Sequence, residues 1–158
     1  MSDFLTTYAL TRARFDEAVL KLSTSQLNFR MNSDVLTAGE MAFHVAGVEV
    51  WFAAQLLGTT LDDQMLRIAT CATDGSINDN PFPFTESEIT PESVSQILAV
   101  GRAAAESVFK AENIRNKELA SALGPIINGE GAMVRLCSHP FYHQGQIYMI
   151  TTAEGFPR

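Results

Sequence analysis

His44, His139 and His143 are the three histidines of the chain, and their placement is the first feature of the sequence that points to chemistry. His139 and His143 stand four residues apart. On a helix that spacing brings two side chains to one face, one turn apart, so both imidazoles can reach one metal ion. His44 lies in a separate run of helical periodicity, on a stripe shared with Met41, Val48, Trp51 and Gln55. A lone interior histidine is ordinarily a core residue with one satisfied hydrogen bond, and each of the three, taken singly, reads that way. Three buried together leave ring nitrogens that are hard to satisfy, and a shared metal ion gives their lone pairs a common partner. The set therefore reads as a divalent-metal site with three protein ligands. That number leaves a coordination position open, as in catalytic zinc sites and unlike closed structural ones. A divalent ion so held lowers the pKa of a water or binds and orients a thiolate.

The neighbours of the histidines have less specific readings. Gln146, three residues after His143, is either a second-layer partner that orients a ligand or a bound water, or a polar residue that seals the helix packing. Glu49 lies five residues from His44, about 140° around the helix. That favours a solvated surface carboxylate over a general base. Tyr142 and Tyr148 read as buried aromatic packing ahead of hydrogen-bond donors to a substrate, and Trp51 as core, with pocket lining its lesser reading. Cys137 is about 200° from His139 and reads as a small buried hydrophobe. Cys71 sits in a long connection with no positioned base beside it. No nucleophile elbow, P-loop or dinucleotide-binding glycine pattern is present.

Four segments of helical periodicity must position these groups, and none shows the strict alternation of a half-buried strand. The first runs over roughly 3–22 on the stripe Phe4, Tyr8, Thr11, Phe15, Val19 and Leu22, and Ser23-Thr24-Ser25 breaks it. The second opens at Thr37-Ala38-Gly39-Glu40, which has capping-box spacing, and ends at Gly58. Residues 59–89 form a long connection. It holds a short helix started by Thr60-Leu61-Asp62-Asp63 and reaching about Ala69, then turn-rich sequence. Phe82 and Phe84 in it need cover, over one end of the helices or in an oligomer contact. The third helix opens at Thr90-Pro91-Glu92 and carries the stripe Val94, Ile97, Gly101, Ala104 and Val108. Gly124-Pro125 and Asn128-Gly129 mark turns in a second irregular connection, over 113–131. The fourth helix spans about 131–153. Pro140 within it removes one helical hydrogen bond and predicts a kink beside His139.

Length and composition bound the rest. The 158 residues fit one domain, 1–158, of all-α class, and 46% apolar residues suffice for a core without disulfides. No apolar run is long enough to span a bilayer. The N-terminus lacks the basic and apolar regions of a secretory leader, and two cysteines without one point to a reduced, cytoplasmic protein. A net charge of −7 with scattered Lys and Arg argues against nucleic-acid binding.

The run His139-Pro140-Phe141-Tyr142-His143-Gln144-Gly145-Gln146 resembles the H-x-x-x-H-x-G-Q signature in the last helix of the DinB/YfiT-like superfamily, which is unrelated to the DNA polymerase of similar name. Ala42-Phe43-His44-Val45-Ala46-Gly47-Val48-Glu49 resembles that family's second-helix segment, in which a histidine precedes an acid five positions on. Pro140 departs from the pattern but removes no ligand. The resemblance covers nearly the whole chain. It implies a four-helix bundle of up-down-down-up connectivity, with long irregular connections between helices 2 and 3 and helices 3 and 4. It also implies that His44, His139 and His143 ligate a metal, usually zinc or nickel, and that the protein is a homodimer. Several relatives use mycothiol, bacillithiol or glutathione in transferase or isomerase reactions. A thiolate attacking a small electrophile at the metal is therefore the leading expectation. A metal-dependent hydrolase that activates water and a non-catalytic metal-binding stress or regulatory protein are the alternatives.

Overall fold

A computed structural model describes residues 3–120 and 127–158. The Gly124-Pro125 turn expected from the sequence lies outside the described residues. Helix α1 spans Asp3–Val19, α2 Thr24–Leu27, α3 Ala38–Leu57, α4 Asp63–Thr70, α5 Pro91–Lys110 and α6 Gly129–Thr151. A 3-10 turn covers Glu86–Glu88, and two short strands, β1 at Glu118–Leu119 and β2 at Ile127–Asn128, pair antiparallel with Glu118 opposite Asn128. The described chain is thus mostly helical. The strand pair was not expected, and two residues per strand are too few to leave a periodic signal in sequence.

Local chemistry sets the helix ends. Thr37 Oγ1 accepts from the Glu40 amide at 3.1 Å while the Thr37 amide donates to Glu40 Oε2 at 2.8 Å, completing the capping box that opens α3. Such a cap contributes about 1 kcal/mol. Gly58 closes the helix in the left-handed region at φ 69°, where a side chain would be strained. Thr90 caps α5 ahead of Pro91, and Asp62 caps α4. The first helix ends at Val19, three residues short of the expected 22. Beyond it, Ser23 forms a second reciprocal cap with Gln26 and starts the one-turn α2. Helix α6 begins two residues earlier than expected. Asn128, read as part of a turn, is its N-cap and accepts from the Gly131 amide at 2.9 Å. The helix then runs unbroken through Pro140.

Helix α3 is the centre of the packing. It lies against α5, α4 and α6, and α1 covers α6 and α5. Every residue from Ala38 through Val50 is buried, so α3 has no solvent face over its first three turns. Two glycines permit this crowding. A Cβ on Gly101 of α5 would collide with the Glu49 carboxylate and come within 2.7 Å of Ala46 Cα. A Cβ on Gly47 would sit 2.6 Å from the Ile68 carbonyl oxygen at the end of α4. The long connection after α4 covers the core: Phe82 and Phe84 pack against it, with Phe84 4.6 Å from Phe43 and the Arg67 guanidinium 3.9 Å above the Phe84 ring. Among the described residues no helix is long and apolar enough to cross a membrane.

Candidate metal centre

Helices α3 and α6 bring the three histidines together. His44 comes from the second turn of α3, and His139 and His143 project from one face of α6. All three are buried, with relative exposures of 5–7%. His139 Nε2 lies 3.2 Å from His44 Nε2 and 3.0 Å from His143 Nε2, and one donor atom from each residue falls within a sphere of mutual distances under 4.8 Å. Whatever bend Pro140 introduces leaves the histidine pair in register.

The far side of two rings fixes which nitrogen carries the proton. His44 Nδ1 lies 2.8 Å from the Cys71 carbonyl oxygen, which can only accept, so Nδ1 is the donor and Nε2 holds a lone pair. His143 Nδ1 lies 2.6 Å from Gln146 Oε1, and Gln146 Nε2 donates to the Tyr142 hydroxyl at 3.1 Å. That orientation makes His143 Nδ1 a donor too. Two lone pairs therefore point at His139 Nε2, which carries at most one proton and can satisfy only one of them. A buried acceptor left without a donor costs about 1–3 kcal/mol.

Protonation does not resolve the conflict. Burial pushes the His44 imidazole below its ordinary value, outweighing the Cys71 hydrogen bond that raises it. Burial, followed by the neighbouring His143 and His44, holds His139 well below the ordinary range. His143 is lowered to about 3, by burial first and by His44 second. The Arg135 guanidinium adds to the depression at all three. All three rings are neutral at pH 7, the form that ligates a metal.

A divalent ion fits this donor set. Tetrahedral bonds of about 2.0–2.1 Å separate two nitrogens by about 3.3 Å, close to the observed 3.0 and 3.2 Å. Among the described residues no cysteine or carboxylate completes a fourth position. The histidines instead open on a cavity of about 770 Å³ whose apolar walls include Met41, Val48 and Phe52. The chain therefore has a histidine cluster close enough to hold a metal ion, with room for a small molecule beside it.

Several neighbours differ from their sequence readings. Glu49 is not a solvated carboxylate: it is 1% exposed and accepts from Arg12 Nε at 2.8 Å and from the Tyr8 hydroxyl at 2.7 Å. Burial raises its pKa, against the Arg12 charge, which lowers it. It takes no part in the histidine cluster. Trp51 is not core but 38% exposed, and it lines the cavity with Tyr142, which is 63% exposed. Tyr148 is exposed as well. Cys137 is a buried thiol donating to the Phe4 carbonyl, as its helical angle required. Cys71 contributes through its backbone, which no sequence pattern marks. Arg135 also lines the cavity, and the sequence signal for it is its position four residues before His139, which extends the same helical face.

No family model matches the sequence, and no curated protein does. The fold is similar to that of a solved structure described as the conserved protein of locus from Enterococcus faecalis. The TM-score is 0.66 at 15% identity, over 92% of this chain and 91% of that one. At that identity the likeness is one of fold.

Proposed function

We propose that this protein binds one divalent metal ion through His44, His139 and His143 and uses it to join a low-molecular-weight thiol to a small electrophile, as a transferase or isomerase. The observation that carries the proposal is the convergence of three neutral imidazoles on the wall of an open cavity. Zinc or nickel suits three nitrogen donors, and either would supply Lewis acidity and stabilise an anionic sulfur or oxygen at neutral pH. The chain's own groups set up that chemistry. Cys71 O and Gln146 Oε1 hold two rings with their lone pairs inward, and the apolar walls limit water around the reacting atoms.

The lack of a free base beside the histidines among the described residues favours a nucleophile brought by a ligand over an activated water. Glu49 is committed to Arg12, and the acid on the cavity wall, Asp34, is exposed. The open cavity and the lack of a fourth ligand among the described residues weigh against a purely structural or regulatory metal. The histidine motifs on α3 and α6 and the four long helices support membership of the DinB/YfiT-like superfamily, with its up-down-down-up connectivity. An exposed stripe of Phe141, Tyr148 and Met149 on α6 is suited to a homodimer contact. The acidic composition supports a cytoplasmic protein that binds no nucleic acid.

Elemental analysis of protein purified without chelators, beside a His44→Ala/His143→Ala variant, tests the metal. About one ion per chain is expected in the first and none in the second; equal content in both overturns the site. A panel of mycothiol, bacillithiol and glutathione against alkylating and epoxide electrophiles tests the reaction. Turnover that appears only with both metal and thiol supports it, and none across the panel counts against it.

A further inference from the structure

We infer that Arg135 is a recognition cation for a carboxylate on the molecule that occupies the histidine-lined cavity. The inference rests on the small-molecule reading of that cavity and adds the charge of its occupant. Arg135 is half-buried and lines the cavity wall. It stands four residues before His139, so it lies about 6 Å along the same face of α6. Among the described residues it has no acidic partner. Six of the other seven arginines do, the exception being the exposed C-terminal Arg158: Arg12 pairs with Glu49 and Asp16, Arg14 with Glu17, Arg30 with Glu40, Arg67 with Glu88, Arg102 with Asp16 and Arg115 with Glu130. Asp34 lines the cavity too, but it accepts from Ser33 at 2.8 Å and forms no ion pair with Arg135.

In a chain of net charge −7, an arginine left unpaired beside a largely apolar cavity is complementary to an anion brought from outside. A planar guanidinium takes a carboxylate through two parallel hydrogen bonds. Arg135 and His139 line the same cavity, so the apolar walls cover what lies between that carboxylate and the histidines. The favoured occupant is a small amphipathic monoanion, its carboxylate on Arg135 and its apolar part along the cavity wall. Both a thiol and an electrophile can carry such a group, and the two sources are separable by experiment.

Trp51 is the chain's one tryptophan and lines this cavity, so its fluorescence reports occupancy. The probes are 3-phenylpropionate and its uncharged amide, titrated into metal-free and metal-loaded protein, wild type and Arg135→Gln. In both forms of the wild type the acid is expected to bind roughly 10-fold more tightly than the amide or better, and Arg135→Gln is expected to erase the difference. Arg135→Lys should restore part of it. Equal binding of acid and amide by the wild type overturns the inference. So does a preference for the acid that survives Arg135→Gln, or that requires the metal, since the anion is then held elsewhere. The metal-free arm keeps this test separate from the metal proposal, because failure to load metal leaves the comparison intact. Under turnover, a rise in KM for the thiol alone or for the electrophile alone in Arg135→Gln identifies which of them carries the carboxylate.

Discussion

The Glu49 carboxylate and the Arg12 guanidinium meet 2.8 Å apart at a point where neither residue is more than 1% exposed. Arg12 also reaches Asp16 and donates to the Leu98 carbonyl at 2.7 Å, and the Tyr8 hydroxyl donates to Glu49. The pair thus ties α1 to α3 and α5, on a side of α3 away from His44. Arg12→Met should destabilise the fold by about 3–5 kcal/mol, because it strands a buried carboxylate. Arg12→Met/Glu49→Met should recover much of that loss, since charge burial and not packing dominates the single variant. Urea unfolding checks both. A single variant as stable as wild type would show that Glu49 takes up a proton instead. Metal content per folded chain should be unchanged in either.

Gln146 donates to Tyr142 and accepts from His143 Nδ1, which turns the Nε2 lone pair of His143 toward the other two histidines. Gln146→Ala leaves all three ligands in place but frees the ring. Removal of such supporting partners typically lowers metal affinity 10–100-fold, and competition with a chromophoric chelator measures it. Affinity equal to wild type would assign Gln146 to sealing the helix packing, the other reading its sequence position allowed.

These two residues show where sequence was legible and where it was not. Thr37, Glu40, Gly58, Thr90 and Pro91 mark their helix ends because capping is settled within four residues of chain. The histidine pair on α6 was legible for the same reason, since helical spacing alone aligns it. Glu49 was misread because angular distance from an inward stripe implies solvent only when a helix has a solvent face. Its partners Arg12 and Tyr8 are 37 and 41 residues away. Between Ala38 and Val50 the polar residues are Glu40, His44 and Glu49 alone, too few to make a solvent face, and this was the available signal that α3 is covered all round. Trp51 follows that stretch directly, at the point where the cover gives out.

Gly47 links the packing of α4 to the metal centre. Its missing Cβ allows the end of α4 to lie against α3, and that approach delivers the Cys71 carbonyl to His44. In Gly47→Ala the new methyl would sit 2.6 Å from Ile68 O, 2.9 Å from Ala72 N and 3.0 Å from Cys71 Cβ. Two of those atoms are backbone, so α4 must shift. Overpacking of this kind costs about 1–3 kcal/mol. Thermal unfolding should show that loss, and metal affinity should fall with it as the His44 ring loses its acceptor. A destabilised variant with unchanged metal affinity would separate the two effects and remove Cys71 O from the site.

The buried histidines give the metal-free protein a distinctive pH dependence. In the fold their pKa values are lowered, chiefly by burial, to about 3 for His143, while in the unfolded chain each takes up a proton near 6.5, the ordinary value of an imidazole. The unfolded state therefore binds more protons once pH drops below about 6.5. Stability is full above that point and is lost as pH falls, until the native rings protonate as well. The slope approaches about 1.4 kcal/mol per pH unit for each such histidine. Glu88, held at about 2 chiefly by the Thr85 amide and by Arg67, contributes in the same direction, but only below its unfolded value of 4.5. Glu49, whose pKa burial raises, acts in the opposite sense, so the histidine contribution is the difference between wild type and His44→Ala/His143→Ala from pH 6.5 to 5. Urea midpoints of chelator-treated protein should fall steadily across that window, and those of His44→Ala/His143→Ala should fall much less. Saturating metal should hold the wild-type midpoint up to a lower pH, because an ion that binds only the folded cluster stabilises it by mass action. Wild-type and variant midpoints that run parallel from pH 7 to 5 without metal would show that the three rings are not held neutral in the fold, and would remove the argument that their lone pairs converge.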